Sequence, residues 1–297
     1  MTRVVLLGAG ASFGSIDASP STPPLGDQLF DALAFRGGLA ATLPEDLKSS
    51  FRANFEMGMA AFYEYADGDV MRFQRELAYY LATFTPGPNN VYLRLIRELG
   101  INRFIFCSLN YDLLFELCAA MLGHRTAYTS EHSPGFVRLL KPHGSSNFWP
   151  HMPGVTIRNS TMRRSGRADI QAPIRPLSQA DTIEKCVTED SVAPAIAMYA
   201  EGKPVKISPD YVEAQQKMWS DSVGRASRIC ITGTRIHLPD THIWAPLTAC
   251  GADLFYFGLE SDRDSFESWK EVSKKRNAYF VKAEFSKAVP AILQRMM

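Results

Sequence analysis

The apolar positions along this chain change period as it runs. Val4, Val5, Leu6 and Leu7 are a short unbroken apolar run, too short for a helix and rich in strand formers. A strand buried on both faces of a parallel sheet reads this way. The run stops at Gly8-Ala9-Gly10-Ala11-Ser12, where small residues allow a sharp turn and a close backbone approach. Gly26-Asp27 can open a helix whose face is Leu29, Phe30 and Leu33. Across residues 45–83 the period is helical, with Phe51, Phe55, Met59, Phe62, Leu77, Tyr80 and Leu81 recurring at threes and fours. Pro86-Gly87-Pro88 breaks it. Tyr92, Leu95, Ile96 and Leu99 then predict a helix that Gly100 ends.

Strand and helix patterns alternate from there to the end. Strands are expected at 102–107, 137–140, 229–232, 254–257 and 278–281. Between them, helices are expected after Asp112, with Leu113, Leu114, Leu117, Cys118 and Met121 inward, and over 209–225, with Tyr211, Met218, Trp219 and Val223. A last amphipathic helix carries Phe285, Val289, Ile292, Leu293 and Met296. This order predicts an α/β fold, a Rossmann-like doubly wound parallel sheet. Residues 1–297 form one domain in this reading, with a helical module inserted at 26–90. Residues 150–208, rich in Pro, Ser and Arg, form an irregular insertion or lid. Arg158, Arg163, Arg164 and Arg167 cluster there without interleaved aromatics, so a solvated loop is expected rather than a nucleic-acid patch.

Composition removes several classes of function. With 32 Lys+Arg against 31 Asp+Glu, the net charge of +1 gives no overall drive toward nucleic acid. No apolar stretch approaches the ~20 residues that a membrane span needs, and the N-terminal run is too short for a signal peptide. Five cysteines, odd in number and widely spread, predict reduced thiols and a cytoplasmic setting.

The candidate chemistry lies at strand ends. A glycine turn after a strand points N–H groups at an anion, and a nucleotide phosphate is the favoured one. Here the glycines stand at 8, 10 and 14, so Phe13 occupies the third glycine position of a G-x-G-x-x-G fingerprint. No acidic strand end follows about 20 residues on, which argues against hydride transfer on a dinucleotide. The other strand ends carry Asn110 and Asp112, then His143, then Gly233 and Thr234. In an open parallel sheet that edge is where ligands bind. Taken singly, an Asn or Asp there is an ordinary helix cap, and a lone His an ordinary structural residue.

In this order the elements resemble the sirtuin family, and more closely its branch of bacterial NAD-consuming defence proteins. The matching pieces are GAGAS at 8–12, SLNYD at 108–112, PHGS at 142–145, GT at 233–234 and GLESDRDSF at 258–266. The resemblance implies that Gly8, Gly10, Ala11 and Ser12 hold the NAD pyrophosphate, with Gly233 and Thr234 at the adenosine half. It implies that Asn110 holds the attacking water and the nicotinamide ribose, Asp112 the carboxamide, and that His143 is the base. NAD is then the substrate. The implied reaction is cleavage to nicotinamide and linear or cyclised ADP-ribose, in antiphage defence by NAD depletion. The alternatives are a deacylase or ADP-ribosyltransferase, and a non-catalytic NAD or ADP-ribose sensor. Cys107, Cys118, Cys186, Cys230 and Cys250 lack the paired spacing of the deacylases' zinc module, so no metal is expected. Leu109 replaces the glutamine of the family's QNID element, and no FGE-type segment follows Phe148. Asn110 and His143 are expected at the rim of the site. The aromatics of 26–90 serve either as core or as an interface, and a homo-oligomer or regulatory protein partner is expected there.

Overall fold

The computed structural model describes residues 2–160, 170–197 and 205–297. Its strands, in chain order, are β1 (Thr2–Leu7), β2 (Ala18–Ser19), β3 (Thr85–Pro86), β4 (Phe104–Ser108), β5 (Arg125–Ala127) and β6 (Phe136–Leu140). They continue as β7 (Phe148–Pro150), β8 (Ile174–Pro176), β9 (Ala226–Thr232), β10 (Asp253–Gly258) and β11 (Ala278–Lys282). Seven of them make one sheet in the order β11-β10-β9-β1-β4-β6-β5. Each neighbouring pair is parallel. β1 therefore lies centrally. From it the chain passes to β4, then to the edge strand β5 and back to β6 between them, and crosses to the other side of β1 with β9. That reversal puts the topological switch point between β1 and β9, the place where open parallel sheets bind ligands.

The apolar run of β1 follows from its position. Val5 and Leu7 belong to the cluster on one face, Val4 and Leu6 to the cluster on the other, and all four are fully buried. Successive strand residues point to opposite faces, so a strand covered on both sides needs apolar residues at every position. The second face is closed by Trp219, Val223, Ile243, Trp244, Leu247, Phe266 and Trp269. The first is closed by the Val91–Leu99, Leu114–Met121 and Phe285–Met296 helices.

Helices run between Gly26 and Ala82, followed by β3 within the 26–90 stretch, and the long 45–83 pattern is divided. Helices Glu45–Ala53, Phe55–Tyr65 and Met71–Ala82 are separated at Asn54 and at the turn around Gly68. Asn54 stops one helix in extended conformation and caps the next, its side chain accepting from the Met57 N–H at 3.0 Å. The aromatics form the module's core. Phe51 stacks on Phe30 at 4.5 Å and on Phe73 at 5.4 Å, and Phe62 meets Phe73 at 5.2 Å. Tyr65, in contrast, is exposed. This module shares one continuous apolar cluster with the sheet face.

The reading of 150–208 as irregular is corrected. β7 pairs antiparallel with β8, and Gln179–Thr188 is a helix whose N-cap is Ser178. Val192, Ala193, Ala195, Ile196 and Ala197 are buried. Arg163, Arg164 and Arg167 lie outside the described residues. No described helix is long and apolar enough to cross a membrane.

Candidate active site

The two glycine turns meet at the switch point. The Gly8 N–H donates to Thr232 O at 3.0 Å and the Gly10 N–H to Gly233 O at 2.7 Å, while the Ala11 N–H turns back to Gly8 O. Side chains would prevent this approach. A Cβ on Gly8 would stand 2.5 Å from Gly233 O, and one on Gly233, whose φ is +69°, would stand 2.1 Å from the Ala11 nitrogen. The glycines are therefore demanded by loop-on-loop packing. In this structure the Gly8, Gly10 and Ala11 N–H groups, expected to point at a pyrophosphate, donate to carbonyls of the protein. A Gly10→Val variant would likewise press on Gly233, 3.0 Å from the new Cβ, before it met any ligand.

Asn110, at the end of β4, reaches across to this turn. Its Nδ2 donates to Gly8 O at 3.0 Å and to Ser12 Oγ at 2.8 Å. Ser12 Oγ is also 3.0 Å from Tyr92 Oη. The other end of the Asn110 amide is different: Oδ1 is buried and has no hydrogen-bond partner. Buried acceptors are ordinarily satisfied, so this one retains capacity to accept a hydrogen bond. Asp112 accepts from the Leu114 N–H at 3.1 Å and so caps the helix that follows, as the structural reading of the sequence allows. Burial raises its carboxyl above the ordinary range, and nearby Lys141 and Ser12 oppose that rise only in part. Burial also lifts the Tyr92 phenol well above its usual value.

Lys141 and Ser146 tie the next turn to this one. The fully buried Lys141 ammonium pairs with Glu116 Oε1 at 2.9 Å and donates to Asp112 O at 2.8 Å. Ser146 donates to Tyr111 O through its backbone N–H at 3.1 Å. Between them stands His143, whose carbonyl accepts from the Ala197 N–H. Its Nε2 is 3.7 Å from Asp240 Oδ2, and its ring meets that of His242 edge-on at 5.0 Å. Asn110 and His143 are 7% and 4% exposed. They are buried, not rim, positions: Asn110 lies against Gly8, Ser12 and Tyr92, and His143 under Ala197 and His242.

The predicted residues Gly8, Gly10, Ala11, Ser12, Asn110, Asp112, His143, Gly233 and Thr234 thus all lie at the C-terminal ends of β1, β4, β6 and β9. Tyr92, Lys141, Asp240 and His242 were not foreseen. Tyr92 reads as helix core, and Asp240 and His242 lie between the strands at 229–232 and 254–257, where no element is predicted. Their one sequence signal is acidic and imidazole side chains just beyond the second glycine turn. Two cavities of 310 and 410 Å³ lie elsewhere, against Trp149, Arg175 and Lys185, and against Arg36, Arg75 and Cys186.

No protein-family model matches this chain, and no curated protein does. Among solved structures it is similar to a mutant Sir2 homologue in complex with ADP-ribose, at 15% identity and a TM-score of 0.46. The match covers 99% of this chain and 91% of that one. At that score the likeness carries no conclusion about this chain.

Proposed function

We propose that this protein is an NAD+ glycohydrolase that cleaves the nicotinamide–ribose bond, releasing nicotinamide and ADP-ribose or its cyclised form. The observation that carries the reading is the unsatisfied Oδ1 of Asn110, buried at the switch point between Asp112, the paired glycine turns and the strand end that bears His143. The resemblance of GAGAS, SLNYD, PHGS and GT to the NAD-consuming sirtuin-like proteins supports it further.

The chemistry asks little more than these groups supply. Nicotinamide leaves as a neutral pyridine, so its departure needs no acid. The ribose passes through an oxocarbenium-like state, as in other glycosyl cleavages. Asn110 Oδ1 orients the water or a ribose hydroxyl, Asp112 accepts from the carboxamide, and His143 takes a hydroxyl proton. The packed glycine turns form the floor along which the pyrophosphate and adenosine lie, with Ser12 and Thr234 at its edges. Burial keeps competing water out.

Antiphage defence through NAD depletion is the role that the resemblance supports. Such an enzyme needs restraint, and the 26–90 module is the candidate surface for a second copy or a regulatory protein. Phe35, Met57 and Tyr65 are exposed on it. The deciding assay incubates purified protein with NAD and follows free nicotinamide by chromatography, over a range of protein concentrations. Release that disappears in His143→Ala supports the reading. Folded wild-type protein that frees no nicotinamide at any concentration overturns it.

A further inference from the structure

Lys141 directly follows β6 and is fully buried, a rare place for an ammonium. Its Nζ pairs with Glu116 Oε1 at 2.9 Å and donates to the Asp112 carbonyl at 2.8 Å. Glu116 is itself held, its Oε1 accepting from the Tyr128 hydroxyl at 3.2 Å. Asp112 is thus fastened twice, its carbonyl by Lys141 and its carboxylate by the Leu114 N–H at 3.1 Å. Leu114 and Glu116 belong to one helix, so a single ammonium joins the ends of β4 and β6 to that helix's first turn. Stability alone is a weak reason for such a pair, because desolvating two charges offsets much of their attraction.

We propose that Lys141, held by Glu116, is a positioning residue for Asp112: it holds the Asp112 peptide in place and supplies the positive charge that keeps its carboxylate an acceptor for the carboxamide of NAD. The assignment rests on the NAD-cleaving reading of the site. An ionised carboxylate only accepts hydrogen bonds and so matches the carboxamide NH2, whereas a protonated carboxyl turns one oxygen into a donor.

The groups around Asp112 leave the charge balance to this pair. Burial pushes its carboxyl up, Lys141 is the largest opposing influence, and Glu116 adds to the rise. Ser12, from the first glycine turn, and the Leu114 N–H contribute uncharged hydrogen bonds. Tyr92, from the Val91–Leu99 helix, and Cys118, from the Leu114–Met121 helix, also face it. Burial lifts the phenol and the thiol above their ordinary values, so neither brings a charge.

Two measurements on the full chain test the assignment. The first titrates the Asp112 carboxyl directly, by ¹³C NMR of protein labelled at its aspartate carboxyls, the signal being identified by its loss in Asp112→Asn. An opposite charge nearby lowers a carboxyl pKa and a like charge raises it. Lys141→Met should therefore move the midpoint up and Glu116→Gln should move it down, each by about one pH unit. A packing role alone gives no such opposition. A midpoint that stays still or rises in Glu116→Gln overturns the assignment, and this isosteric variant decides alone if Lys141→Met does not fold.

The second measurement is the KM for NAD against pH. A midpoint one unit higher makes the ionised carboxylate about tenfold scarcer below both midpoints. Lys141→Met should accordingly show a KM roughly tenfold above wild type there, converging on it once rising pH has ionised Asp112 in both proteins. A wild-type KM below the midpoints, or one raised equally at every pH, overturns the charge role. If the midpoints move as expected but the wild type releases no nicotinamide, the charge pairing stands and the NAD-cleaving reading falls. If nicotinamide is released and the midpoints do not move, the reading stands and this assignment falls.

Discussion

Asn110→Ala separates the two roles that this side chain carries, one structural and one chemical. The substitution removes the donors to Gly8 O and Ser12 Oγ, at 3.0 and 2.8 Å. Each is worth about 1 kcal/mol net. It also removes the unsatisfied Oδ1, whose burial costs a comparable amount. The expected loss of stability is therefore roughly 1–2 kcal/mol, a fall in Tm of about 2–8 °C. Folded proteins hold about 5–15 kcal/mol in reserve. Even at the low end, about 3 kcal/mol would remain and roughly 99% of the molecules would stay folded at 25 °C. Partial unfolding thus accounts for almost none of any loss in turnover. Loss of a pre-organised polar group at the reacting centre lowers kcat by roughly 10²–10³-fold. The assay pairs a thermal melt with nicotinamide release at 25 °C. Turnover that falls only in step with the folded fraction would refute the catalytic role and leave Asn110 as a brace between β4 and the first glycine turn.

Gly233→Ala should cost roughly 3–5 kcal/mol, since it combines a left-handed φ with a 2.1 Å approach to the Ala11 nitrogen. Gly251→Ala, with nothing within 4 Å, should melt like the wild type and serves as the control. Asp112→Asn should raise Tm at neutral pH while lowering turnover. The raised carboxyl pKa means that the folded state binds this proton more tightly than the unfolded chain. That stabilisation is complete below the unfolded value of about 3.9 and is lost as pH rises through the folded value. The gain from Asn should accordingly vanish in acid, and a pH-independent difference in Tm would contradict it. Nicotinamide release should survive a metal chelator, because none of the proposed steps uses a metal, and activity lost to chelation and restored by zinc would overturn that expectation.

Much of this architecture is legible locally. The Val4–Leu7 run reports a strand covered on both faces, because alternate residues meet different apolar clusters. The i, i+3, i+4, i+7 spacing from Tyr92 and the stop at Gly100 report the Val91–Leu99 helix, whose C-cap glycine has a φ of 71°. Each of these is a property of neighbours in sequence, which is all that periodicity can record. The three-residue β5 was missed because it is half-exposed and carries no apolar run. Helix Gln179–Thr188 was missed because it buries only Thr182 and Cys186.

The site divides in the same way. The sequence by itself determined which residues stand at strand ends, since a turn after a buried strand needs small or polar side chains. Only the tertiary structure decided what those residues face. Parallel strands take their neighbours from distant crossovers, so Asn110 finds Gly8 102 positions away, and Gly8 finds Thr232. That pairing makes the glycines a packing requirement and leaves one end of the Asn110 amide without a partner. Asp240 shows the same physics on one side chain. It stands at the N-cap position of the Thr241–Ala249 helix, and the fold turns it to His143 because the end of β6 passes within reach of its carboxylate.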